Sequence, residues 1–148
     1  MTQLLRLFAA VSLLAVILPA QALAAPKATV AIDIVQASKE PGENDPRVAK
    51  FRSQFADFNY KSFKLVASRL ITVDEKKATT VDLAGGHKLN VTFTKAEPNG
   101  RARLKLSVPG VLDTTVSLKR DGSVLVGGPA LPSGNGVLFI PVTLVEVK

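Results

Sequence analysis

Apolar and polar residues alternate along most of the chain beyond its first 26 residues, a period that is typical of β-strands. In the stretch 27–37, Val30, Ile32 and Ile34 share one face. A second alternating run extends over 63–73. The pattern predicts one strand in each of these stretches.

Between these two predicted strands lies a segment with helical spacing. Its apolar residues recur at intervals of three and four: Val48, Phe51, Phe55 and Phe58. Asp45 followed by Pro46 is typical of a helix N-cap and first helical position. We therefore predict a helix of about three turns near 46–58. Its phenylalanine stripe is expected to pack on a sheet, although it could instead line a ligand pocket.

Turn residues divide the rest of the chain into five or six short segments, which predicts an antiparallel meander of strands. The turns fall at Asp74-Glu75-Lys76, Gly85-Gly86-His87, Pro98-Asn99-Gly100, Pro109-Gly110, Asp121-Gly122 and 127–136. We expect the glycine-rich stretch 127–136 to be a flexible connection. The final run, 137–148, is apolar on both faces, which indicates a central strand that is buried on both sides.

Loop lengths set which residues face each other across each hairpin. The apolar positions match when the loops have two residues at 98–99 and 121–122 and three residues at 85–87 and 109–111. Four cross-strand pairs follow: Phe93 with Leu104, Leu106 with Thr114, Leu83 with Leu89, and Leu118 with Leu125. One sheet face is then apolar and the other polar.

Together these patterns predict a mainly β (α+β) fold. We expect the antiparallel meander to form a small sandwich or a partly open barrel, with the helix near 46–58 packed on it to cover part of the apolar face.

The N-terminal segment 1–24 has the pattern of a secretory signal peptide. One positive charge, Arg6, precedes twelve residues, Leu7 to Leu18, that are apolar except for Ser12, and Ala22-Leu23-Ala24 supplies small residues at alternate positions. Twelve helical residues span about 18 Å, well short of a hydrocarbon core of about 30 Å. We predict cleavage after Ala24, a single domain over 25–148 without a transmembrane span, and a periplasmic or secreted location. The alternative is an uncleaved membrane anchor.

Composition narrows the possible chemistry. The 148 residues include no Cys and one His, with 19 Lys+Arg against 12 Asp+Glu and a formal net charge of +7. Without cysteine the chain has no disulfide, thiolate metal site or thiol nucleophile. A single His leaves no material for a multi-histidine metal site.

No catalytic or metal-binding pattern is found in the sequence. His87 lies in a predicted loop with no second His to join it, and the carboxylates have no metal-ligand spacing. The glycine-rich stretch lacks the Gly-Lys-Ser/Thr of a phosphate loop. We predict no cofactor, no metal and no enzymatic activity.

Basic side chains give the strongest candidate site. Alternation places five of them on the polar sheet face: Lys88, Arg101, Arg103, Lys105 and Lys119. Only Asp113 is expected to offset them nearby. Such a stripe could attract an anionic surface or polymer, or it could simply keep the sheet soluble and discourage edge pairing. No aromatic residue is expected on this face, which argues against nucleic acid as a partner.

Three short motifs carry two family resemblances. The run Asp121-Gly122-Ser123-Val124-Leu125-Val126-Gly127-Gly128 resembles the D-G-x-x-V/L-x-G-G hairpin of outer-membrane secretins. The Gly-Gly-x-Lys-Leu turn at 85–89 and the Leu-x-Gly-Gly-Pro segment at 125–129 are similar to those of small uncharacterised secreted bacterial β-rich proteins. The second resemblance implies export and no particular activity.

The sequence thus favours an exported, non-enzymatic β domain that binds another cell-envelope component, a protein or an anionic polymer, through a sheet face. Two alternatives stay open. One is a small periplasmic hydrolase or metal-dependent enzyme, and the other is a structural subunit of an envelope or secretion assembly. The sequence does not set the oligomeric state.

Overall fold

A computed structural model describes residues 25–131 and 136–148. The signal peptide predicted over 1–24 lies outside the described residues, as does most of the second half of the glycine-rich connection. In the part of the chain that is described, no helix is long and apolar enough to cross a membrane.

The described residues form eight strands. These are β1 (Lys27–Ser38), β2 (Ser62–Asp74), β3 (Ala78–Asp82), β4 (Lys88–Glu97), β5 (Arg101–Val108), β6 (Leu112–Leu118), β7 (Ser123–Ala130) and β8 (Val137–Val147). A 3-10 helix (Pro46–Phe51) runs into a one-turn α-helix, α1 (Arg52–Phe55), and we call this pair the helical segment. Two further 3-10 turns, Ala84–Gly86 and Pro98–Gly100, join β3 to β4 and β4 to β5.

The strands form two antiparallel sheets of four strands each. The first sheet has the order β2-β1-β8-β7 and the second has the order β3-β4-β5-β6. The mainly β class is confirmed, and no closed barrel is present among the described strands. The predicted meander holds only for the second sheet, because β1 pairs with β8 at the other end of the described chain.

The two sheets pack around one hydrophobic core, in the manner of a sandwich. Fully buried side chains of the first sheet include Val30, Ile32, Leu138, Ile140, Val142 and Leu144. Fully buried side chains of the second sheet include Leu89, Val91, Phe93, Leu104 and Leu106. The prediction of a central last strand is confirmed, because β8 lies between β1 and β7 and contributes buried residues to both of its faces.

A second, smaller cluster lies on the outer face of the first sheet. There the helical segment packs Val48, Phe51 and Phe55 against Val35 and Phe139 of the sheet. Three of the four residues of the predicted stripe are therefore buried against the sheet. The fourth, Phe58, is 44% exposed.

The predicted three-turn helix near 46–58 is wrong. Asp45 does cap the segment, its carboxylate accepting from the Arg47 backbone N–H at 3.0 Å, but the first six residues form 3-10 helix and only one α turn follows. The chain then turns back towards the sheet, where the rings of Phe58 and Tyr60 lie 4.7 and 5.5 Å from that of Phe139. The α-helix ends at Phe55, and these aromatic contacts hold the following residues against the sheet.

Two predicted cross-strand pairs are confirmed, Leu106 with Thr114 and Phe93 with Leu104. The second forms by a different route, since the 98–100 loop has three residues and a bulge at Thr94 restores the register. Glu75, which directly follows β2, contacts the chain next to this bulge: its carboxylate accepts a hydrogen bond from the Ala96 backbone N–H at 2.9 Å.

The other two predicted pairs are wrong. Leu89 faces Val81 rather than Leu83, because the loop is 84–86, with Leu83 N–H donating to the His87 carbonyl at 2.7 Å. Leu118 and Leu125 do not pair, because the turn at 119–122 carries the chain from the second sheet to the first instead of closing a hairpin.

Candidate functional site

Four of the five predicted basic residues lie on the outer side of the second sheet, and Lys119 lies in the turn directly after β6. Along β5, Arg101, Arg103 and Lys105 alternate with buried Ala102, Leu104 and Leu106, so the three cations point away from the core. Lys88 begins β4 and Lys119 directly follows β6, and both are exposed. The alternation that predicted this face is therefore observed along β5.

Acidic side chains offset three of these cations. Lys88 Nζ lies 2.6 Å from Asp82 Oδ1, and Lys105 Nζ lies 3.8 Å from Asp113 Oδ2. In addition, the Arg103 guanidinium lies 3.4 Å from Glu97 Oε2.

The expectation that only Asp113 offsets the stripe is wrong. Strand register places Asp82 directly opposite Lys88 and Glu97 directly opposite Arg101. The positive charges of Lys88 and Lys105 are therefore balanced by carboxylates. The excess of positive charge lies at the end of the face beside the 98–100 turn.

The bulge at Thr94 adds a basic residue that the sequence pattern did not find. Strict alternation assigns Lys95 to the core side, but the extra residue turns it outward, opposite Arg103. Lys95 is exposed and makes no ion pair within the described residues. No local signal distinguishes this position, because the bulge depends on the length of the following loop and on the distant Glu75 carboxylate.

Four cations thus gather at the end of the face beside the 98–100 turn. We call them the basic cluster: Lys95, Arg101, Arg103 and Lys119. Arg101 donates from Nε to Ser117 Oγ and from its terminal nitrogen to the Ser117 carbonyl, both at 3.2 Å. Neighbouring strands are about 4.8 Å apart, so these side chains fall within one short stretch of surface.

Glu97 is the one carboxylate paired within this cluster in the described chain. The Ser117 hydroxyl is the largest cause that lowers the pKa of Glu97, and the positive charges of Arg103 and Arg101 lower it further. Glu97 is therefore ionised at neutral pH. The cluster then carries four positive charges around one negative charge.

Chemistry other than charge is sparse on this face. Phe93, the aromatic residue of β4, points into the core and is fully buried. Across the described residues, no group of three or more His, Asp or Glu side chains could hold a metal ion. His87 is half-buried in the loop before β4.

A cleft of about 400 Å³ lies on the opposite side of the molecule, beside the helical segment. Its lining includes four aromatic side chains, Phe55, Phe58, Tyr60 and Phe63. The sequence left open that the phenylalanine stripe lines a ligand pocket, and a cleft is present at the end of the stripe. Phe55 and Phe58 of the stripe line it together with Tyr60 and Phe63, which lie beyond the stripe.

No protein-family model matches this chain, and neither curated proteins nor solved structures contain a significant match to it.

Proposed function

We propose that this protein is an exported, non-enzymatic binding domain that attaches to an anionic polymer of the cell envelope through the outer face of its second sheet. The observation that carries this proposal is the basic cluster. Three of its four cations, Lys95, Arg101 and Lys119, make no ion pair within the described residues.

Charge of this kind suits a polymer with repeated phosphate or carboxylate groups. Arginine binds such oxygens through parallel N–H donors, while lysine acts as a point charge that tolerates varied geometry. Strand pairing sets the spacing of Lys95, Arg101 and Arg103, and Lys119 follows in the turn directly after β6. A repeating polyanion can then contact several cations at once.

The polymer is favoured over a protein partner by the character of the face. Large apolar side chains of β4 and β5 point inward, and the outward positions are polar or charged. Protein interfaces usually contain a buried apolar or aromatic centre, which this face lacks among its described residues. Export is supported by the signal-peptide pattern of 1–24.

A matched pair of variants tests the proposal. The cluster variant carries Lys95→Gln, Arg101→Gln and Lys119→Gln, and the control carries Lys39→Gln, Lys61→Gln and Lys64→Gln. Both lose three positive charges. Lys39 directly follows β1, Lys61 directly precedes β2, and Lys64 lies in β2. Like the residues changed in the cluster variant, they make no ion pair in the described chain.

Binding is measured by calorimetry with polyphosphate and with polygalacturonate, which represent phosphate and carboxylate polymers. The cluster variant should bind about tenfold more weakly at ~0.1 M salt, because each exposed contact contributes about 0.5 kcal/mol. The control should bind almost as the parent does. Equal losses in both variants would contradict a specific face, and turnover of hydrolase substrates by the parent would contradict a non-enzymatic role.

A further inference from the structure

Four aromatic side chains form part of the wall of the cleft beside the helical segment. Phe55 and Phe63 are stacked with ring centroids 4.7 Å apart. Phe58 and Tyr60 both contact Phe139 of β8. Phe58 nevertheless remains 44% exposed, so part of an apolar ring faces solvent at the cleft.

Such a cleft has the size and lining of a small-molecule site. Ligand pockets typically enclose about 300–1,000 Å³ and combine apolar walls with a few polar groups. At about 400 Å³, this cleft is at the lower end of that range, which indicates a small ligand rather than a long chain.

The charges of the lining indicate the sign of the ligand. The Asp45 carboxylate is occupied by Arg47, whose terminal nitrogen lies 2.7 Å from Oδ2 and whose Nε lies 3.0 Å from Oδ1. Arg52 also lines the cleft, and within the described residues its guanidinium makes no ion pair or hydrogen bond. The lining therefore offers one uncompensated positive charge next to aromatic rings.

We propose that this cleft binds a small amphipathic anion, with its apolar body against Phe58 and Tyr60 and its carboxylate on Arg52. The site lies on the outer side of the first sheet, whereas the basic cluster lies on the outer side of the second. The inference therefore stands apart from the function proposed above, and neither site needs the other.

Tyr60 provides a direct probe of this site. It is the one Tyr in the chain, which also lacks Trp, so intrinsic emission reports on Tyr60 alone. The protein is titrated with decanoate below its micelle-forming concentration. Decanol serves as the neutral analogue and decylamine as the cationic one. A parallel titration with 4-phenylbutyrate, followed by NMR, distinguishes an aliphatic from an aromatic body.

We expect saturable binding of at least one of the two carboxylates. Arg52→Gln should weaken that binding about fivefold, as expected for loss of one partly exposed charge pair. Ala49→Phe, a change at an exposed position that lines the cleft, should block it. Ala84→Phe, at an exposed position in the β3–β4 loop, is the matched control and should bind as the parent does.

Three results would overturn the proposal. The first is the absence of saturable binding by both carboxylates. The second is binding of decanol or decylamine as tight as that of decanoate. The third is unchanged carboxylate binding in either Arg52→Gln or Ala49→Phe.

Discussion

Gly127 and Gly128 are neighbours in β7, yet only one of them has room for a side chain. A Cβ atom on Gly128 would lie 2.7 Å from the carbonyl oxygen of Leu138 and 3.2 Å from its Cβ. A Cβ atom on Gly127 would meet nothing within 4 Å. The difference arises at an irregularity in the pairing of β7 with β8 after Gly127, where the backbones approach closely.

This contrast predicts opposite outcomes for two alanine substitutions. Gly128→Ala should lower the free energy of unfolding by about 1–3 kcal/mol, because the new methyl group forces the backbone of β8 to move. Gly127→Ala should change it by less than about 0.5 kcal/mol. Urea unfolding of the two variants and the parent measures both values. Equal destabilisation would show that the close approach at Gly128 is not what constrains this strand.

At the scale of elements, the helical segment is attached to the sheet by polar contacts as well as by phenylalanine rings. Asp33, a buried carboxylate on the outer side of β1, accepts a hydrogen bond from the Ser68 hydroxyl and lies 3.8 Å from Lys50 of the segment. Asp45 caps the first turn and is bound by Arg47. The paired hydrogen bonds from Arg47 require the ionised Asp45 carboxylate.

The cap at Asp45 predicts how acid affects the protein. Hydrogen bonds from Arg47 lower the pKa of the Asp45 carboxyl well below its ordinary value. A lowered folded-state pKa stabilises the fold above the unfolded pKa near 4, and that contribution is lost as the pH falls below about 4. The urea midpoint of the parent should therefore decrease between pH 6 and pH 3.

In Asp45→Asn this decrease should be smaller, because the variant has no carboxylate to protonate at the cap. The remaining decrease reflects Asp82 and Glu97, whose pKa values are also lowered. Asp57→Asn is the control, since within the described residues Asp57 makes no ion pair or hydrogen bond. If both variants match the parent's acid response, the cap does not contribute to it.

Most strands could be predicted from the sequence because alternation is a local property. The outward direction of Arg101, Arg103 and Lys105 followed from it directly. The bulge that exposes Lys95 could not be predicted, since it depends on a hydrogen bond from Ala96 to Glu75, 21 residues away. The stripe did suggest a ligand pocket as an alternative, but the contribution of Tyr60 could not be predicted, because its ring contacts Phe139 in the last strand.

The prediction of a hairpin at 121–122 was wrong for a similar reason. Asp121-Gly122 is a strong hairpin signal, and a turn does form there, with Gly122 N–H donating to the Lys119 carbonyl at 2.8 Å. Its exit is directed by β8, since Asp121 N–H donates to the Leu144 carbonyl and Leu144 N–H to the Gly122 carbonyl. A local motif sets the turn, but a distant strand decides which sheet the chain enters.

On the scale of the whole molecule, β1 and β8 connect the two hydrophobic clusters. One face of each strand contributes to the core between the sheets, and the other contributes to the cluster under the helical segment. Neither cluster can open without disturbing these strands. We expect a single cooperative unfolding transition.

Two probes test that expectation. Tyr60 emission reports on the outer cluster, and far-UV circular dichroism reports on both sheets. Their urea transitions should coincide in midpoint and slope. An earlier transition for Tyr60 would show that the helical segment and its cluster unfold separately from the core between the sheets.

The pairing of β1 with β8 also bears on the order in which the fold becomes possible during synthesis. The second sheet is made of consecutive strands, so its backbone partners emerge from the ribosome one after another. The first sheet is different, because β1 waits for residues 137–147 before its second edge is paired. Until then the core face of the second sheet lacks much of its cover. The second sheet can therefore be complete before the first one, in which β1 has partners on both sides only after β8 has been made.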